Sequence, residues 1–188
     1  LLACVILVLA WSLGRICKEL HTAEYVIQLI GDGLLPSLLP ATVFVIAAAV
    51  SFATGTSWGT MAILFPLVIP LADRLAPGEM HILLGAISSI LAGSVWGDHC
   101  SPISDTTIMS SMASSCDHVD HVRTQLPYAL SVGIVALVFG ELGTGFGLYP
   151  AWVGLLLGAA ALAALVFFVG KPVDGPGSEA AAAEPAPE

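Results

Sequence analysis

Long apolar stretches alternate with short polar breaks from one end of the sequence to the other. Residues 1 to about 14 are apolar and stop at Arg15 and Lys18, as a spanning helix would. Residues 19 to 33 mix Glu19, His21, Glu24 and Asp32 with Tyr25, Val26, Ile27 and Leu29. That mixture predicts an amphipathic helix lying in the membrane interface. Residues 34 to about 53 and 58 to about 72 form two apolar arms around Thr54, Gly55, Thr56 and Ser57. Pro36 and Pro40 stand at the entry to the first arm, whose unbroken apolar run, 41–50, is too short to cross alone. Pro66 and Pro70 divide the second arm. Two short arms around a polar, glycine-containing tip predict a re-entrant helical hairpin. Lipid tolerates such a tip only where it meets protein or a water-filled cavity. Two complete crossings are the other reading.

Beyond a polar loop at 73–79, residues 81 to about 96 are apolar again. A polar stretch from Gly97 to Thr107 follows, then a short apolar piece up to Cys116 and a loop at 117–124. Two last spans, 126 to about 142 and 151–170, are joined by a glycine-rich turn at 143–150. The pattern predicts an all-α integral membrane protein. Its transmembrane domain covers residues 1–170, and a disordered acidic tail rich in Ala and Pro covers 171–188.

Composition narrows the class. Hydrophobic residues make up 57% of the chain and charged residues 10%, with a mean hydropathy of +0.94. A soluble domain carries about 25% charged residues, so the lipid bilayer is the expected partner of most of this surface. The net charge of -9 argues against nucleic acid, whose phosphates call for Lys and Arg. The chain opens inside an apolar run at Leu1, which predicts that residue 1 cuts through a spanning helix and that an upstream half is missing. Arg15, Lys18 and Arg74 against Arg123 and Lys171 give no orientation.

The chemistry concentrates in one segment. Asp98 and Asp105 are flanked by apolar runs, and an ionisable residue inside a membrane marks a functional site by default. In an unbroken helix the two carboxylates would lie about 10 Å apart along the axis, too far for one small cation. Pro102 lacks an N–H and crowds the carbonyl four residues back, that of Asp98. An unwound stretch at 98–104 would free carbonyl oxygens, bring the carboxylates together and add the hydroxyls of Ser101 and Ser104. Sodium prefers oxygen ligands, and broken helices in transporters supply them. The tip residues Thr54, Thr56 and Ser57 complete the predicted sodium site, with Trp58 and Trp96 as candidates to line it. Two blander readings stand beside this one. Asp105 would cap a helix starting at Thr106, and Asp98 would sit at a helix end on the membrane surface.

Other chemistry is weaker. His99 and Cys100 lack a second ligand pair at zinc spacing, and no cofactor is expected. Cys100 or Ser101 beside His99 does not make an enzyme, because neighbours on one backbone rarely reach each other with the required geometry. The loop from Cys116 to His121 reads as a solvated connector, and Glu141 as a side chain reaching out to the interface.

Three stretches carry a family resemblance: Ala53-Thr54-Gly55-Thr56-Ser57-Trp58-Gly59-Thr60, Gly97-Asp98-His99-Cys100-Ser101-Pro102-Ile103-Ser104-Asp105-Thr106-Thr107, and the run from Cys116 to Tyr128. Together they make roughly residues 40 to 130 resemble the NhaC-type sodium/proton antiporters. Those are grouped in an ion transporter superfamily built of two inverted repeats, each with a re-entrant hairpin and a broken transmembrane helix. The resemblance implies that this chain is the second repeat, the C-terminal half of a secondary active transporter. The hairpin tip would lie at 54–58 and the break at 98–105. It implies exchange of sodium for protons across the cytoplasmic membrane, with the missing N-terminal repeat as a partner and a homodimer as an open assembly. The alternative is a sodium- or proton-coupled exchanger of a small organic acid or amino acid. Arg15, Arg74 and Arg123 all fall outside the predicted membrane segments, which tilts the balance towards inorganic ions.

Overall fold

The computed structural model describes residues 35–170, together with Ser12, Ile16, Glu19 and Leu20. The first apolar run, the interfacial helix expected at 19–33 and the tail from 171 onward therefore lie, those four residues apart, outside the described residues. Within the described part all regular structure is helical. Five stretches are long and apolar enough to cross a membrane: Pro36–Thr54, Ser57–Leu75, Met80–Cys100, His118–Gly145 and Ala151–Val169.

Helix α1 (Leu39–Thr54) is entered through a single 3-10 turn at Pro36–Leu38. Pro40 stands in its first turn, where a missing N–H leaves no intrahelical bond unmade. It stops at Gly55, whose φ of 66° is left-handed and whose N–H donates to the Ser51 carbonyl at 2.8 Å. Thr56 opens α2 (Ser57–Leu75), its hydroxyl accepting from the Gly59 N–H. A turn through Gly78 leads to α3 (Met80–Cys100), and the chain breaks at 101–104 before α4 (Asp105–Ala113). Helix α5 (His118–Val135) continues without a stop through a π-helical segment, Ala136–Leu142, to a last turn at Gly143–Gly145. Helix α6 (Ala151–Val169) ends the described chain.

Several boundaries differ from the sequence expectation. Each arm of the 54–57 hairpin is 19 residues long, so neither is too short to cross. Hydroxyl side chains turn back onto the helix at both ends of the first arm, Thr42 donating to Leu38 O and Thr54 to Val50 O, so neither end leaves the hydroxyl unpaired. Helix α2 passes through Pro66 and Pro70 unbroken. The loop expected at 117–124 is the first two turns of α5, started by Asp117, whose carboxylate accepts from the N–H groups of Val119 and Asp120. The glycine-rich turn begins later than expected, after Gly145.

The core is the α1–α3 seam with α2 laid against it. Leu39, Val43 and Ala47 meet Leu64, Val68 and Leu71 from α2 and Ile82, Ala86 and Ile90 from α3. Helices α1 and α3 run parallel, since Pro40 lies by Gly85, Phe44 by Gly93, Ala48 by Gly97 and Phe52 by Ser101. The approach is backbone to backbone: a Cβ on Gly93 or Gly97 would collide with the carbonyl of Phe44 or Ala48. This parallel pairing brings the tip at 55–56 to the same level as the break at 101–104. Helix α6 is different, with only 6% of its span buried and Leu155, Phe167 and Phe168 facing outward.

Candidate ion site at the helix break

Four oxygens define the centre. Asp98 lies in the last turn of α3 and is 7% exposed. Its Oδ2 accepts a long hydrogen bond from Ser57 Oγ, 3.4 Å away across from the hairpin tip. Its Oδ1 is buried and has no hydrogen-bond partner among the described residues. One turn earlier on the same face, Ser94 Oγ is also buried without a partner. A buried carboxylate oxygen left without a hydrogen bond costs about 1–3 kcal/mol or more. Two such oxygens on one helix face form a place where a small cation would be welcome.

The surroundings hold this face rigid. Ser51 Oγ donates to the Ser94 carbonyl at 2.6 Å, fixing α1 to α3 about one turn below the tip. Ser101 Oγ donates to Phe52 O at 2.8 Å and clamps the break onto the hairpin. Gly55 lies where a Cβ would be 2.8 Å from Ile103 O, so the tip presses directly on the broken segment. From the other side, His118 Nε2 donates to Pro102 O at 2.7 Å, and its Nδ1 contacts Ser111 Oγ at 3.1 Å. Gln125 donates to His99 O at 2.8 Å.

The expected site residues are partly gathered. Asp98, Ser57 and Ser101 meet at the tip–break contact, and Ser101 and Ser104 are fully buried. Ser104 Oγ pairs with Thr106 Oγ1 at 2.7 Å. Thr56 is occupied in capping α2, and Thr54 is exposed with its hydroxyl turned back to its own helix. Asp105 is exposed at the first position of α4, and Ser104, not Asp105, is the residue at the N-cap. The unwound stretch is 101–104, shorter than 98–104, because α3 stays helical through Cys100. No hydrogen-bonding group links Asp98 to Asp105 among the described residues. Trp58 is 72% exposed, and Trp96 is turned the other way, donating to Ala129 O at 2.7 Å.

Sequence reasoning missed Ser94, the hydroxyl of Ser51 and the bridging role of His118. The spacing of four between Ser94 and Asp98 was the available signal for the first. Glu141 is a correction: it does not reach for the interface but turns inward, with Oε2 2.6 Å from Ser89 Oγ.

The model of the Na+/H+ antiporter family matches residues 1–144. The chain belongs to that family. An antiporter-family protein with five apolar crossing-length helices is a multi-pass membrane protein. It is 41% identical over 169 residues to an uncharacterized protein of Haemophilus influenzae, covering 90% of this chain and 32% of that one. It is 33% identical over 113 residues to the malate-2H(+)/Na(+)-lactate antiporter of Bacillus subtilis, covering 60% of this chain and 23% of the relative. A third relative, the arginine/ornithine antiporter of Halobacterium salinarum, is 35% identical over 108 residues, 55% of this chain and 21% of its own length. The antiporter-family chain thus spans about a third or less of the curated relatives it matches. No solved structure matches it.

Proposed function

We propose that this chain is the cation-binding part of a sodium/proton antiporter of the NhaC type, centred on Asp98. The observation that carries the reading is the pair of unpartnered buried oxygens, Asp98 Oδ1 and Ser94 Oγ, beside a helix break. Sodium would bind the ionised Asp98 with hydroxyls of Ser94 and Ser57, and a proton on the same carboxylate would release it. Ser101, Ser104, Thr54 and Thr56 shape the tip and the break around that site, and Asp105 is the second carboxylate of the proposal, across the break. The chain serves as the second of two inverted repeats, with a re-entrant 54–57 hairpin. The remaining length of the relatives would supply the first.

A second reading has support in the relatives, two of which carry the names of exchangers of organic acids or amino acids. On that reading the same carboxylate couples sodium or protons to a small organic solute. Against a dedicated anion site, no Lys or Arg hydrogen-bonds to Asp98 among the described residues.

The test uses the full-length transporter in liposomes. Sodium should drive proton flux, and Asp98→Asn should abolish it while the protein stays folded, because an amide cannot cycle a proton. Asp105→Asn should weaken it. With competition for one carboxylate, apparent sodium affinity drops by up to about tenfold per pH unit on acidification. Sodium-driven flux that survives Asp98→Asn would remove the site. Flux that appears only with malate, lactate or arginine present would favour the second reading.

A further inference from the structure

Glu141 lies inside the π-helical segment Ala136–Leu142, about one turn before the end of the crossing-length stretch His118–Gly145. Its Oε2 is 2.6 Å from Ser89 Oγ, and the same Ser89 Oγ is 2.8 Å from the Gly85 carbonyl. Ser89 is fully buried. A hydroxyl has one proton to donate. If it donates to Gly85 O, an ionised Glu141 faces only a lone pair of the serine. If it donates to Glu141, the Gly85 carbonyl loses its side-chain donor. Both short contacts are satisfied together when Glu141 carries the proton: the acid donates to Ser89 Oγ, and Ser89 donates to Gly85 O.

Two further features fit a proton site. A cavity of about 920 Å³ reaches Glu141 and also touches Ser88, Thr144, Tyr149 and His81. It lies towards the ends where α3 begins and α5 stops, away from the break. The π turn is the second feature, a local widening that often accompanies function and sets Glu141 against α3. The groups facing the carboxylate are few. Helix α1 contributes Pro40 and α6 contributes Gly154 and Leu155, none titratable. Tyr149 donates its hydroxyl to Phe139 O at 2.9 Å, His81 sits 3.2 Å from Glu79, and among the described residues no Lys or Arg lines the space. Among the described residues, no cation lies where it would neutralise an ionised Glu141.

We propose that Glu141, Ser89 and the Gly85 carbonyl form a proton-binding site separate from the ion site at Asp98. Ser89 and Asp98 are nine positions apart on α3, about 14 Å along the axis. On protonation an O–H bond forms at Glu141 Oε2, and the Ser89 hydroxyl turns its hydrogen to Gly85 O. On release the proton leaves through the cavity and the hydroxyl turns back. The use of this site in transport rests on the proton-coupled reading above; its protonation does not.

A hydrophobic carbodiimide, which adds to protonated carboxylic acids in apolar surroundings, tests the proposal on the full chain in lipid vesicles, with labelled peptides read by mass spectrometry. Glu141 should be labelled at neutral pH and lose about tenfold or more of that labelling on strong alkalinisation. Sodium should not protect it, and Asp98→Asn should leave it unchanged, which separates this outcome from the fate of the ion-site reading. Ser89→Ala, which removes the donor to the ionised carboxylate, should shift the loss of labelling to higher pH, and Ser89→Thr, which keeps the hydroxyl, should restore the original pH dependence. Absence of Glu141 labelling from about pH 5 to about pH 9 would overturn the proposal. So would labelling that sodium suppresses, or labelling whose pH dependence is indifferent to Ser89→Ala.

Discussion

A methyl group at residue 97 would run into the carbonyl oxygen of Ala48, one turn from the bonds that hold Asp98 in place. Overpacking of that kind costs about 1–3 kcal/mol, and here the obstacle is backbone, which cannot rotate away. Gly97→Ala should therefore lower the thermal midpoint of the detergent-solubilised protein by several degrees. Gly140→Ala makes the contrast, since nothing lies within 4 Å of its added Cβ. It should be neutral or stabilise by up to about 1 kcal/mol through helix propensity. Equal midpoints for the two variants would mean that the α1–α3 seam is looser than its geometry. At the same scale, His118 shows what a side chain in an outwardly ordinary loop sequence can do. It bridges the break at Pro102 and the far end of α4 at Ser111.

Elements were legible in the sequence to different degrees. The helices over 80–100 and 151–169 announce themselves by unbroken apolar runs, and Pro102 marks the break through its missing donor. The start of α5 was hidden because His118, Asp120 and His121 look like loop; only the capping bonds of Asp117 reveal the helix. The π segment has no compositional signature, so the inward aim of Glu141 could not be read from its position in the span. Ser94 looked like one small residue among many until the fold left it buried beside Asp98 without a partner. The hairpin belongs to this scale too. With all native cysteines replaced, single cysteines at Thr56 and Asp73 should react differently with membrane-impermeant thiol reagents. A re-entrant tip should label poorly, or only through the aqueous cavity and with protection by sodium. Strong labelling of Thr56 from the face opposite Asp73, indifferent to sodium, would establish two full crossings instead.

At the scale of the whole molecule, burial is 44%, 28% and 39% for the first three crossing-length stretches and drops to 17% for the α5 stretch and 6% for α6. Side chains such as Leu155, Phe167 and Phe168 are largely exposed, and an apolar surface of this kind needs lipid or another protein. The chain expressed alone should stay in the membrane pellet through alkaline carbonate extraction, and release into the supernatant would contradict an integral membrane protein. It should not exchange sodium for protons by itself, since on the two-repeat reading the site lacks its opposing wall.

The seam at Gly93 and Gly97 also governs what can move. Sliding between helices usually happens on a layer of side chains that can switch rotamers, and these two glycines leave no such layer between α1 and α3. With Ser51 bonded to the Ser94 carbonyl and Ser101 to Phe52 O, the pair is stitched across the seam at two levels. Any rocking that exposes Asp98 first to one side and then to the other must therefore carry α1, α3 and the tip as a single rigid block. The joint would lie along α5, where Trp96 leans on Gly133 and Gln125 grips His99.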